Sequence, residues 1–174
     1  MHLQCLHRIL SLTPMIAMST TQCPPLPIDT AHAAESTFGY GHPYLKIGNR
    51  LEEYLSHLPI HKTTAVVREP LATSFWPFAV LSIFQFWEDL TDRQMSNATR
   101  MRVDLKYALH LPLNFPGFDR LFLCQFRQYL LSDPANKRAF QELLNRLAEY
   151  ANHLDKRQAN ADHVLHSLCM LNQA

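Results

Sequence analysis

An excess of charge of either sign is the first thing this sequence lacks. Sixteen Lys and Arg stand against fifteen Asp and Glu, a formal net charge of +1. That excludes a global basic field, the usual footprint of a stand-alone nucleic-acid binder, although ten His add positive charge at lower pH. Glycine is scarce too. Four Gly against eleven Pro, with few β-branched runs, points away from a sheet protein. The four cysteines (Cys5, Cys23, Cys124, Cys169) are far apart and form no C-x-x-C pair. A disulfide framework or zinc ribbon is thereby disfavoured, and a reduced, cytoplasmic setting is expected. The most apolar run, Phe75 to Trp87, is thirteen residues long and interrupted by Ser82 and Gln85. It is too short to span a bilayer, so no membrane partner is expected. Met1 to Met18 is mildly apolar, but Gln4, His7 and Pro14 break it up and it lacks the apolar core of a signal peptide. No Gly-rich phosphate loop or G-x-S-x-G is present, and Asp155 and Asp162 make no convincing catalytic pair. Nothing in the residues implies a cofactor.

What is present is helical periodicity. At 174 residues the chain is one domain, or a domain with a tail, and long enough to bury a core. The expected class is all-α: a compact multi-helix bundle with a helix-turn-helix-like segment, behind a disordered N-terminal leader. Residues 1–37 have no sustained period and contain Pro24-Pro25-Leu26-Pro27. They read as that leader, or as upstream sequence from an early start codon, with Met15 and Met18 as other starts. Residues 38–154 form the helical domain, and 155–174 a linker with a short final segment. Within the domain, a helix is expected from His42 to Leu58, ended by Pro59, followed by a loop over 59–74. Phe75 to Leu90 is apolar nearly all round, the mark of a buried helix, with Pro77 tolerated in its first turn. Asn136 to Leu154 carries Phe140, Leu143, Leu144, Leu147, Tyr150 and Leu154 at i, i+3, i+4, i+7 spacing. That stripe either closes the bundle or pairs with a second copy. After a polar stretch (155–162), His163 to Leu171 is a short helix.

The stretch Leu90 to Leu131 reads as three short helices joined by tight turns. Thr91 and Gln94 make a capping-box pattern at the first. Val103 to Leu109 is the second and stops before Pro112. Pro116-Gly117 makes a turn, and Asp119 can cap a third helix that ends at Asp133-Pro134. Compact DNA-binding modules are built this way, as are other helical domains.

Several blocks here resemble a known family. Leu90 to Gln94 (LTDRQ), Arg102 to Leu109 (RVDLKYAL), Pro116 to Asp119 (PGFD) and Leu123 to Arg127 (LCQFR) resemble the InsH-type N-terminal domain of bacterial insertion-sequence DDE transposases, in order and in spacing. The resemblance begins at His42 to Lys46 (HPYLK) and extends to about residue 171. It implies a DNA-binding region that precedes the catalytic part. The chain departs from the family's pattern at Leu121, Phe122 and Tyr129, and at His110, where Gly or Cys is more usual.

On the third helix, a rotation of about 100° per residue puts Phe122, Leu123, Phe126, Tyr129 and Leu130 on one side. Arg120 and Arg127 then fall within about 20° of each other on the opposite side, flanked by Gln128. Such a face suits a groove-reading helix, with Arg for guanine or phosphate and Gln for adenine. A solvated helix face is the plainer reading of the same pattern. Arg93, Arg100, Arg102 and Lys106 on the preceding helices are candidates to grip phosphates. Asp104 and Lys106 also suit a surface ion pair. Residues 77–131 hold six Lys and Arg (93, 100, 102, 106, 120, 127) against five Asp and Glu (88, 89, 92, 104, 119). Modest, strongly salt-dependent affinity is expected.

The last helix holds His163, His166 and Cys169 at i, i+3, i+6 near Asp162, a spacing compatible with metal ligation but without a fourth ligand cluster. In the family, the segment after the long helix, here residues 155–174, is a linker and the start of the catalytic region, truncated in this chain, and it carries the first metal-binding carboxylate of the DDE triad. Aligning on His163-Val164-Leu165 puts Asn160 at that position, and Asp162 is not equivalent. A neutral amide is a poor ligand for paired divalent cations about 4 Å apart. The resemblance therefore implies a truncated, catalytically inactive remnant, not an enzyme, with transposon-end DNA as partner and a homodimer or an intact transposase as further partners. The alternatives are a helical interaction module that self-associates through 136–154 or inhibits an intact transposase, or a relic without function.

Overall fold

The computed structural model describes residues 23–56, 58, 75–151 and 159–173. Among these residues the chain is all-helical. The helices are α1 (Ile28–Phe38), α2 (Pro43–Asn49), α3 (Leu51–Leu55), α4 (Phe75–Trp87), α5 (Asp92–Met101), α6 (Val103–Ala108), α7 (Arg120–Ser132), α8 (Pro134–Leu147) and α9 (Ala161–Leu171), with a 3₁₀ turn at Ala148–Ala151 after α8. The expected loop over 59–74 lies outside the described residues.

Helix α4 is the axis of the bundle. All thirteen of its residues are buried, as an apolar surface on every side requires. It packs against α5, α7, α8 and α9. Phe78 meets Phe118 edge-on at 5.1 Å and Phe126 at 5.9 Å between ring centroids. The stripe of α8 (Ala139, Phe140, Leu143, Leu144, Leu147) is buried inside the same core. These five side chains close the bundle; Tyr150 is half-buried, and Leu154 lies outside the described residues.

Four element boundaries differ from expectation. Residues 28–37, expected to belong to a disordered leader, form most of α1, which packs on α6; residues 1–22 lie outside the described set. The buried positions of α1 are only Thr30 and Ala34, a small i, i+4 pair that gives little hydrophobic period. Thr30 Oγ1 donates to Leu111 O at 2.8 Å, which satisfies a hydroxyl that burial would otherwise penalise. The single helix expected from His42 is interrupted at Arg50 (φ −115°, ψ 12°), giving α2 and α3. Ala161 and Asp162, expected in the linker, are the first turn of α9. Helix α8 starts earlier than expected, at Pro134, because Asp133 caps it through Ala135 N–H at 2.8 Å.

A second, smaller layer lies over α6. Ala34, Leu45 and Tyr107 form its buried cluster, with Leu26, Ala31 and Val103 packed against them. Helix α2 approaches α6 so closely that a Cβ on Gly48 would stand 2.7 Å from Tyr107 Cδ1 and 2.9 Å from its carbonyl oxygen. Only glycine fits there. Tyr107 Oη donates to Asn49 Oδ1 at 2.6 Å and lies 3.2 Å from Glu35 Oε1, tying α6 to α2 and α1. Among the described residues no helix is long and apolar enough to cross a membrane.

Candidate nucleic-acid interface

The segment 91–132 folds as the sequence patterns require locally. Thr91 accepts from Gln94 N–H at 3.3 Å, and Gln94 Oε1 accepts from Thr91 N–H at 2.8 Å, closing the capping box. Asp119 Oδ1 accepts from Leu121 N–H at 2.9 Å and starts α7. Gly117 takes φ +92°, and its α-carbon lies against α5, where a Cβ would be 3.0 Å from Ser96 O. Ser96 Oγ donates to Phe118 O at 2.5 Å, so the turn is fastened to α5 just before α7 begins. The apolar face of α7 is as expected: Leu123, Phe126, Tyr129 and Leu130 are buried and Phe122 is half-buried.

The polar side chains do not all lie where helical spacing put them. Arg93, Arg100, Arg120 and Gln128 are exposed. The three arginines enter no ion pair among the described residues. Arg127 is a correction. It is 4 % exposed and faces inward, making a bidentate contact with Asp92 (Nη1–Oδ1 2.7 Å, Nη2–Oδ2 2.6 Å). Burial opposes its charge, but the paired carboxylate outweighs that and raises its pKa above the ordinary arginine value. Asp92 Oδ1 also accepts from Gln85 Nε2 at 2.8 Å. Asp92 N–H donates to Asn172 Oδ1 at 2.7 Å, so one aspartate gathers α4, α5, α7 and the end of α9.

Lys106 is the second correction. It is buried, its ammonium donates to Leu113 O, and desolvation lowers its pKa. Arg102, the third, is half-buried between Glu88 and Asp104, with its guanidinium 5.5 Å from the Tyr44 ring centroid. Asp104 is itself buried and paired with Arg102 rather than with Lys106 on the surface. Arg127 ties α5 to α7 within the unit, whereas Arg102 reaches back to Glu88 after α4 and Lys106 reaches the turn after α6.

Gln125 was not anticipated as a surface group. It is exposed four residues after Leu121 and three before Gln128, on the same outward stripe. The i+3 and i+4 spacing was the available signal. Asn160 Oδ1 accepts from His163 N–H at 2.8 Å and caps α9. Asp162 pairs with Lys137 at 2.8 Å, and His163 lies edge-on to Phe86. Among the described residues no three His, Cys, Asp or Glu side chains come together to hold a metal ion. An open polar recess between α3 and α8 contains Arg50 and Arg146, but Arg50 is paired with Glu53 and Glu149, and Arg146 with Glu142.

No family model, curated protein or solved structure matches this chain.

Proposed function

We propose that residues 91–132 bind DNA, as the non-catalytic N-terminal unit of an InsH-type transposase acting on transposon ends in the cytoplasm. The observation that carries this reading is a three-helix unit clamped from within by Arg127 and Asp92, with Arg93, Arg100 and Arg120 exposed and in no ion pair among the described residues. A rigid unit with free guanidinium groups can meet a phosphate backbone without first breaking its own ion pairs. Gln125 and Gln128 on the outer face of α7 add donors and acceptors suited to adenine. Four of the five sequence blocks that resemble the transposase domain fall on this same unit. Asn160 serves as a helix cap where that resemblance expects a metal-binding carboxylate, which supports a binding rather than a catalytic role.

Fluorescence anisotropy of the whole chain on a transposon-end duplex and a scrambled duplex, at two salt concentrations, tests this. The triple variant Arg93→Ala, Arg100→Ala, Arg120→Ala should weaken binding to both duplexes and flatten the salt slope by about 0.9 per lost phosphate contact. Binding by the triple variant equal to that of the parent, or no binding by the parent at low salt, would sink the reading. The exposure of Leu121 (59 %) and Leu131 (57 %) on α7 supports a second one, a helical interaction module. That reading predicts a change in oligomer size on substituting those leucines, with no dependence on the three arginines.

A further inference from the structure

The polypeptide after α6 carries a histidine where its backbone asks for glycine. Leu111 N–H donates to Lys106 O at 2.8 Å and His110 N–H donates to Tyr107 O at 3.1 Å, the paired bonds of a Schellman motif. The residue between, His110, takes φ +52°, in the left-handed region. A side chain there costs about 1 kcal/mol or more relative to glycine. A ring kept at such a position needs contacts that offset the cost. It has them: Nδ1 lies 2.6 Å from Pro24 O and Nε2 lies 2.9 Å from Gly48 O.

Both partners are backbone carbonyl oxygens, which only accept. A neutral imidazole has a single N–H and can satisfy one of them. The imidazolium has two and satisfies both. We propose that His110 is a proton-operated latch that fastens the N-terminal segment 23–38 to the α2–α6 layer when both ring nitrogens are protonated.

Cys23 supplies the alternative bond for the other state. Its Sγ is 3.5 Å from Pro24 O and 3.3 Å from His110 Nδ1. With the ring protonated, the thiol donates to Pro24 O beside the Nδ1–H bond. When Nδ1 gives up its proton to solvent, the thiol can donate to Nδ1 instead. Pro24 O then faces a nitrogen lone pair and loses its strongest donor. The segment is left held by Thr30 on Leu111 O, Tyr107 and the small apolar cluster.

The charged and titratable groups near the ring come from the elements packed around it. From the N-terminal segment it faces the Cys23 thiol, which burial keeps protonated. From the α2–α3 side it faces the Gly48 carbonyl, and the field of Glu52 reaches Cys23. On its own element, the Lys106 ammonium is engaged by Leu113 O and Tyr107 by Asn49.

The test uses the whole chain at about pH 5.5 and about pH 8, the interval in which histidine charge changes. Imidazole ¹⁵N spectra should show His110 with both nitrogens protonated at the lower pH and one at the higher. Amide exchange in residues 26–38, corrected for intrinsic pH dependence, should speed up about tenfold or more as one charge-assisted bond is lost. His110→Gly suits the backbone and so isolates the ring: its segment should exchange fast at both pH values while α4 and α8 stay protected. A singly protonated ring at pH 5.5, or protection in the parent that is equal at both pH values and unchanged in His110→Gly, would overturn the latch. Cys23→Ser provides a second check, since a retained hydroxyl donor should keep the pH dependence that His110→Gly removes.

Discussion

The bundle around α4 and the layer over α6 are held by different means. The first is a continuous apolar core in which four helices surround a fifth, and its polar contacts concentrate at one buried carboxylate, Asp92. The second has a three-residue buried cluster and relies on polar ties between residues far apart in the chain: Thr30 to Leu111, Tyr107 to Asn49, His110 to Pro24 and Gly48. Apolar contact is forgiving of direction and grows with area. Hydrogen bonds contribute little net free energy each, but lose much when a buried partner is left alone. The bundle therefore resists many small changes but is sensitive at the charged hub of Asp92 and Arg127, whereas the layer depends on individual bonds.

The largest effect should come from the hub. Arg127→Ala leaves Asp92 buried without its counter-charge and should destabilise the chain by about 3 kcal/mol or more. Chemical denaturation with the slope held constant would measure this, and a loss below about 1 kcal/mol would place Arg127 with surface pairs instead. Next is the contact on which the layer depends. Gly48→Ala puts a methyl group into Tyr107 and its carbonyl and should cost about 1–3 kcal/mol. The loss should register as faster amide exchange in α1 and α2 than in α4.

A third effect is alkaline and separates the two regions by pH. Burial, with Glu52 second, pushes the Cys23 thiol up to about 12 from an ordinary value of 9.0. The folded state holds its proton more tightly than the unfolded chain. Its contribution is therefore complete below about pH 9 and is lost as pH rises towards about 12. Exchange of the 26–38 amides should accelerate over that interval ahead of α8, and Cys23→Ser should remove the difference.

The same contrast explains what could be read in the sequence. Helix α4 was legible because an all-round apolar surface has one stable location, and α7 because Asp119, its apolar spacing and Asp133-Pro134 fix both ends and the inner face. Helix α1 was not legible, since Thr30 and Ala34 are too small to mark a face and their partners lie about eighty residues away in α6 and the turn after it. The candidate interface was half legible. Angular position on a helix placed Arg120 and Gln128 outside correctly, and it placed Arg127 outside as well. A long guanidinium side chain goes where a carboxylate waits, and Asp92 lies thirty-five residues earlier. Arg102 and Lys106 turned inward for the same reason, towards Glu88 and Asp104 in one case and the Leu113 carbonyl in the other.

The bond from Asp92 N–H to Asn172 Oδ1 has a mechanical meaning. The final helix does not only cover α4; its last turn grips the first residue of α5, and through Asp92 that grip continues to Arg127 on α7. The end of α9 is thus two hydrogen-bonded steps from α7, Asn172 to Asp92 and Asp92 to Arg127, a polar route that runs beside the apolar core.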